Sequence, residues 1–223
     1  FEFHSINSTA YDNRNSPTTG KYWLIKTFEV LKGIQNDVVL DGTVYLDETY
    51  FTKVRSKLVT KDGKKLRGIS RNKIGVGVAC NETKSIFIVT GTSKPSRKST
   101  KETYSQHIAR GSVLVHDDAH SHSILIEELE LESIVYPTAE TKELSDKDNP
   151  LYPVNNLHLL LKQFIRNHGA YDREHLQDWL NLFWFIMNEP KDKYDKVLKF
   201  IEMAVLSPKK VRYRDAMSSK HSK

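Results

Sequence analysis

One cysteine, Cys80, stands in the 223 residues. An internal disulfide framework and any cysteine-based zinc module are therefore excluded within these residues. No apolar run approaches the length of a membrane span. The first residues hold no cationic segment followed by an apolar stretch, so no secretory signal is expected and a cytoplasmic location is. Glycine (10) and proline (7) are sparse, while hydrophobic residues make up 38%. That composition excludes collagen-like and low-complexity chains and supports a folded core. No internal repeat is visible.

What the chain does have is segregated charge. The overall excess is small, 34 Lys and Arg against 28 Asp and Glu. Nine of those cations (Lys53, Arg55, Lys57, Lys61, Lys64, Lys65, Arg67, Arg71, Lys73) fall between residues 53 and 73, with Asp62 the only acid among them. Residues 127–148 are acidic, and Lys209 to Lys223 is basic again. A block this cationic fits a polyanion, because each neutralised phosphate releases counterions. A plain solvated loop face is the other reading.

Periodicity gives the elements. Residues 1–20 read as an extended arm, and Tyr22 to Ile34 has helical spacing. Val38 to Leu40 and Thr43 to Tyr50 read as strands on either side of an Asp41-Gly42 turn, and Ile74 to Ala79 with Ser85 to Thr90 as an antiparallel pair. Lys61 to Lys64 suggests a second turn. Then follow a helix over Lys101 to Arg110 capped by Ser99 or Thr100, a strand over Ser112 to His116, a helix over Ser121 to Leu129 and a strand over Ser133 to Tyr136. A loop over 137–153 leads to helices over Val154–Asn167, Asp172–Met187 and Lys191–Leu206 and an irregular tail. This order describes an α/β chain, a mixed sheet flanked by helices with extra helices at the C-terminal end. It is compatible with an RNase H-like fold and with other α/β folds.

Three places carry candidate chemistry. Asp47 sits in Leu46-Asp47-Glu48-Thr49-Tyr50-Phe51, where an acid inside a strand needs a partner or a cation. Alternation sets Val44, Leu46 and Glu48 on one face and Tyr45, Asp47 and Thr49 on the other. Asp117 and Asp118 end the strand Val113-Leu114-Val115-His116, where ligands gather in α/β sheets. One of them is free to ligate while its neighbour caps the following helix. His116, His120 and His122 raise a zinc reading that lacks a fourth ligand at an accepted spacing. Asn155 and Lys162, seven residues apart, share one helix face, which fits either a functional surface or an ordinary solvated side. The apolar positions of Leu176 to Phe185 read as core.

Together the blocks Leu46–Phe51, Val115–His122, Val154–Lys162 and Leu176–Asn188 resemble the DDE-superfamily insertion-sequence transposases of bacteria related to the eukaryotic Merlin elements. The resemblance spans roughly residues 38–190. It implies an RNase H-like catalytic domain there, behind an N-terminal arm and helix (1–37) and ahead of a C-terminal helix and basic tail (191–223). It implies two-metal phosphoryl transfer with Mg²⁺ or Mn²⁺ held by Asp47, Asp117 and Asn155, which stands where most of the superfamily has Glu. Lys162 matches the family's basic residue two turns later. The implied partners are double-stranded DNA, as element terminal inverted repeats and target, and further copies of the chain assembled on it, in a bacterial cytoplasm at the nucleoid. Lys53, Arg55, Lys57, Lys64, Lys65, Arg67, Arg71, Lys73 and Lys162 would contact phosphates. The family's zinc ribbon and helix-turn-helix are not in these residues, so a truncated or internally deleted copy without zinc is expected. The alternatives are a relic that only binds DNA and an RNase H-like nuclease that cuts without joining.

Overall fold

Val44 and Leu46 point inward at alternate positions of the strand Thr43–Thr52, and the segment is the central strand of the sheet. The computed structural model describes residues 5–52, 59–60, 62–64, 66, 68–141, 143–145, 147–168, 175–188 and 190–217. The chain forms two compact units. The larger comprises Gln35–Leu161 and Asp172–Gln177.

That unit is built on a five-stranded sheet of β1 (Thr43–Thr52), β2 (Lys73–Cys80), β3 (Ser85–Thr92), β4 (Val113–His116) and β5 (Glu132–Val135) in the order β3-β2-β1-β4-β5. β1, β2 and β3 are successively antiparallel, and β4 and β5 run parallel to β1. A mixed sheet of this order, with the first strand central, is the RNase H-like arrangement. β2 is buried along Ile74–Cys80, as expected of an inner strand covered on both faces.

α3 (Arg97–Tyr104) and α4 (Ser123–Leu129) close one side over a core of Val44, Leu46, Ile86, Tyr104, Leu114 and Leu125, all fully buried. Each such aliphatic side chain contributes ~1.5–3 kcal/mol by leaving water. α3 starts at Arg97, four residues before the expected Lys101, and its cap is Ser96 rather than Ser99 or Thr100. Ser96 accepts from the Ser99 N–H while Ser99 Oγ accepts from the Ser96 N–H, a reciprocal capping box. The strand expected over Val38 to Leu40, ahead of the Asp41-Gly42 turn, does not form. Leu40 instead bridges in parallel to Ile108, because its N–H and C=O are taken by His107 O and Ala109 N. Gly42, at φ 67°, turns the chain into β1. Part of the 137–153 loop is a short helix, α5 (Thr138–Thr141). α6 (Tyr152–Asn167) begins two residues before its expected start.

The smaller unit, Phe1–Ile34, Lys162–Tyr171 and Asp178–Lys223, is helical. Its elements include α1 (Ile6–Asp12), α2 (Pro17–Leu31), most of α7 (Leu176–Met187), α8 (Lys193–Leu206) and α9 (Tyr213–Met217). The expected extended arm is thus helical from Ile6, with Ser5 and Ser16 as N-caps and Pro17 in the first turn of α2. Proline there starts a helix, since its missing N–H would have had no partner. Phe28 and Phe164 pack edge-on to Trp179, at 5.1 and 6.0 Å between ring centres. Within the tail expected to be irregular, Tyr213–Met217 form α9, where Tyr213 packs on Tyr22 and the Tyr22 hydroxyl donates to Val211 O. No helix among the described residues is long and apolar enough to cross a membrane.

Candidate active site

β1 and β4 are adjacent and parallel, with Leu46 level with His116. The residue after each, Asp47 and Asp117, is therefore delivered to the same end of the sheet. Both line a cavity of about 810 Å³ in the larger unit, and Asn155 of α6 lines it too. Asp118 does not line it and is exposed, so of the two adjacent acids it is Asp117 that faces the cavity.

Each carboxylate is held locally. Asp47 Oδ1 accepts from the Glu48 N–H at 2.7 Å, and its Oδ2 lies 3.7 Å from His158 Nδ1 of α6. Asp117 Oδ1 accepts from the Ala119 N–H at 3.1 Å. Burial, followed by the Asp117 charge, pushes the Asp47 carboxyl up from 3.8 to about 7, against the pull of the Glu48 N–H. Two carboxylates that repel in a partly desolvated cavity favour either a proton or a cation. The Asn155 N–H donates to Leu151 O, just before α6, and Asn155 is the fourth residue of the helix, so Asn155 is not its cap.

Behind the cavity lies a polar array that sequence reasoning missed. Glu48 points into the core face, as its alternation required, and its side chain is only 5% exposed. Its Oε1 accepts from the Tyr104 hydroxyl at 3.3 Å and lies 3.2 Å from His122 Nε2. Burial alone would lower the His122 pKa. The hydrogen bond and charge of Glu48, with Asp117 and Asp47, outweigh it, so the net shift is upward. His116 is shifted down, by burial first and then by His122. The signal for this array was Gly77 on β2, directly opposite Glu48. A Cβ there would stand 2.1 Å from the Tyr104 hydroxyl, so only glycine lets Tyr104 reach the carboxylate. Of the three histidines grouped in the sequence, His116 and His122 come together, while His120 lines the cavity.

The rim carries two cations the sequence did not single out, Lys94 from the connection between β3 and α3 and Arg97 from the start of α3. Arg97 also pairs with Glu127 at 2.7 Å. In the basic block, Lys53, Arg55, Lys57, Lys61, Lys65 and Arg67 lie outside the described residues. Lys64 is exposed beside a Thr60–Lys64 turn, Arg71 donates to Val59 O and Lys73 to Thr52 Oγ1. None of these three lines the cavity. Lys162 is an exposed residue of α6 assigned to the smaller unit.

No family model and no curated protein matches the chain. Among solved structures it is similar to a pre-cleavage Mos1 transpososome, at 11% identity over 93% of this chain and 75% of that one, with a TM-score of 0.37. It is similar to the catalytic domain of Mos1 mariner transposase at 15% identity, 83% and 90% coverage and a TM-score of 0.39. A simian T-cell lymphotropic virus intasome in complex with a PP2A regulatory subunit matches at 8% identity, over 69% of this chain and 50% of that chain, with a TM-score of 0.42. At these identities and scores the likenesses add no weight, and the fold rests on the strand order given above.

Proposed function

We propose that the chain is the catalytic domain of a DDE transposase, of the bacterial insertion-sequence kind related to the Merlin elements, which cleaves DNA at element ends and joins the freed ends to target DNA. The observation that carries this reading is the shared cavity. Asp47 from the central strand, Asp117 from the end of its parallel neighbour and Asn155 from α6 line it although they are far apart in the chain. Two carboxylates and an amide oxygen form a hard donor set that suits Mg²⁺ or Mn²⁺. Burial, followed by the Asp117 charge, raises the Asp47 carboxyl to about 7, which is compatible with a site where a cation would offset the paired carboxylates. Bound there, a pair of divalent ions would supply an activated water or 3′-hydroxyl and stabilise the leaving oxygen.

The chain's own residues do the rest. Glu48, through its backbone N–H, holds one oxygen of Asp47 and leaves the other toward His158. The Ala119 N–H does the same for Asp117. Lys94 and Arg97 at the cavity rim would take phosphates of double-stranded DNA in this reading; Lys162 and the basic residues between 53 and 73 would add phosphate contacts of their own. Binding of terminal inverted repeats, assembly of further copies on DNA and a cytoplasmic location belong to the same reading.

The test is cleavage of a duplex made from the DNA flanking the reading frame, in Mn²⁺ with EDTA as control. Wild type should cut and Asp47→Ala should not. Cutting that persists in Asp47→Ala, or in EDTA, contradicts the reading. A cut without subsequent strand joining would instead mark a nuclease.

A further inference from the structure

His116 ends β4, and His122 closes the short 3-10 turn His120–His122. Both are buried, and their Nδ1 atoms stand only 3.1 Å apart with the rings at 77°. Asp117 Oδ1 lies 3.6 Å from His122 Nδ1, and one donor atom from each of the three residues falls within 4.8 Å of the others. The outward nitrogens are both held. His122 Nε2 meets Glu48 Oε1 at 3.2 Å, and His116 Nε2 meets Ser133 Oγ at 3.0 Å. A histidine whose remote nitrogen is fixed by a carboxylate or hydroxyl is oriented as metal-ligating histidines are.

We propose that His116, His122 and Asp117 form a metal site of their own, for a borderline divalent transition ion such as Zn²⁺. Two imidazole nitrogens and one carboxylate oxygen suit that ion and not Mg²⁺. At Zn–N distances of about 2.0–2.1 Å, two nitrogens of a tetrahedral site stand about 3.3 Å apart, close to the spacing here. The histidines are enclosed, whereas Asp117 is 24% exposed and lines the cavity. An ion therefore enters from the cavity side and keeps its open position there. Its role is to tie the end of β4 to the turn that follows and so fix the segment presenting Asp117. The sequence raised a zinc reading at His116, His120 and His122 that lacked a fourth ligand at an accepted spacing; the site proposed here takes Asp117 in place of His120. The site shares Asp117 with the phosphoryl-transfer reading and uses neither Asp47 nor Asn155, so each stands or falls alone.

The test uses the whole chain, stripped with EDTA and dialysed, then titrated with Co²⁺ while visible absorption is read. One Co²⁺ per chain should bind with ligand-field bands of a low-coordinate site, displaced by Zn²⁺ and untouched by excess Mg²⁺. His116→Gln and His122→Gln should each abolish the bands. Ser133→Ala, on the exposed strand β5, should weaken Co²⁺ ten- to a hundredfold by freeing the His116 ring. Asp47→Asn should leave the spectrum unchanged. The proposal is overturned if folded wild type gives no bands at stoichiometric Co²⁺, which would leave the 3.1 Å contact as an imidazole–imidazole hydrogen bond. It is equally overturned if the bands survive both histidine substitutions or vanish in Asp47→Asn. The wild-type titration needs no variant to fold. Mn²⁺-dependent cleavage without Co²⁺ bands would sink this site alone, and bands without cleavage would sink the transposase reading alone.

Discussion

Gly77→Ala is the substitution whose cost is most sharply set by geometry. The added methyl would stand 2.1 Å from the Tyr104 hydroxyl and 2.7 Å from the ring carbon that bears it. Ordinary contact requires about 3.4 Å or more, so the ring must retreat by about 1 Å. It has nowhere to go, since Tyr104 is fully buried in the cluster with Leu46, Ile86 and Leu125. Overpacking of this kind costs ~1–3 kcal/mol. The retreat also breaks the hydroxyl's bond to Glu48, and a hydrogen bond to a charged group contributes ~1.5–3 kcal/mol. A loss of about 3–5 kcal/mol is expected, read as a lowered urea midpoint with the slope unchanged. Tyr104→Phe alone should cost only the hydrogen-bond part. Combined with Gly77→Ala it should cost less than the sum by at least about 1 kcal/mol, because the hydroxyl is the atom in closest conflict. Strict additivity, or a Gly77→Ala change within about 0.5 kcal/mol of zero, would refute the claim that Gly77 exists to admit Tyr104 to Glu48.

Further outcomes follow from the cavity. Folding raises the Asp47 carboxyl from 3.8 to about 7, so the fold disfavours its ionised form. The metal-free protein should lose stability as pH rises from about 4 to about 7, by up to about 4 kcal/mol at ~1.4 kcal/mol per unit, with no contribution from this group below that window and a constant penalty above it. Asp47→Asn should flatten that slope in urea melts at several pH values, and an unchanged slope would remove Asp47 as its source. Metal binding must displace the same proton, so Mn²⁺ affinity measured by calorimetry should climb toward pH 7 and then level. Asn155→Ala should abolish cleavage nearly as fully as Asp47→Ala, whereas Asn155→Asp should keep part of it and tighten Mn²⁺; full activity in Asn155→Ala would end its assignment as a ligand. Replacing Lys64, Lys65 and Arg67 together by Ala should reduce the salt dependence of DNA binding by ~0.9 per lost phosphate contact, and a log–log slope that stays put would make them bystanders.

The sheet was legible because its strands carry period-two burial or continuous β-branched runs, and β2, β3 and β4 fall where the pattern put them. The N-terminal helices were not. Residues 1–20 are polar, and their helix signals lie in the caps, Ser5, Ser16 and Pro17, rather than in an apolar stripe. The Asp41-Gly42 turn misled for a related reason. The dipeptide marks a change of direction, and tertiary pairing of Leu40 with Ile108 decided which strand came next. Asp47, Asp117 and Asn155 could be named from the sequence because each sits in a recognisable block. What surrounds them could not. Lys94 reaches the site from the β3–α3 connection and Arg97 and Tyr104 from the two ends of α3, and no local pattern announces such contacts. Gly77 was the one available clue, a strand-interior glycine facing a carboxylate. The pairing of His116 with His122 was hidden differently, since spacing along the chain does not say which ring turns toward the core.

The most direct measurement is diffraction at the manganese absorption edge from crystals of the chain grown with Mn²⁺. The account predicts anomalous density in the cavity, within coordination distance of a carboxylate oxygen of Asp47, one of Asp117 and the amide oxygen of Asn155, and its loss in Asp47→Ala. Manganese bound elsewhere on the chain, with this cavity empty at saturating concentration, would contradict it.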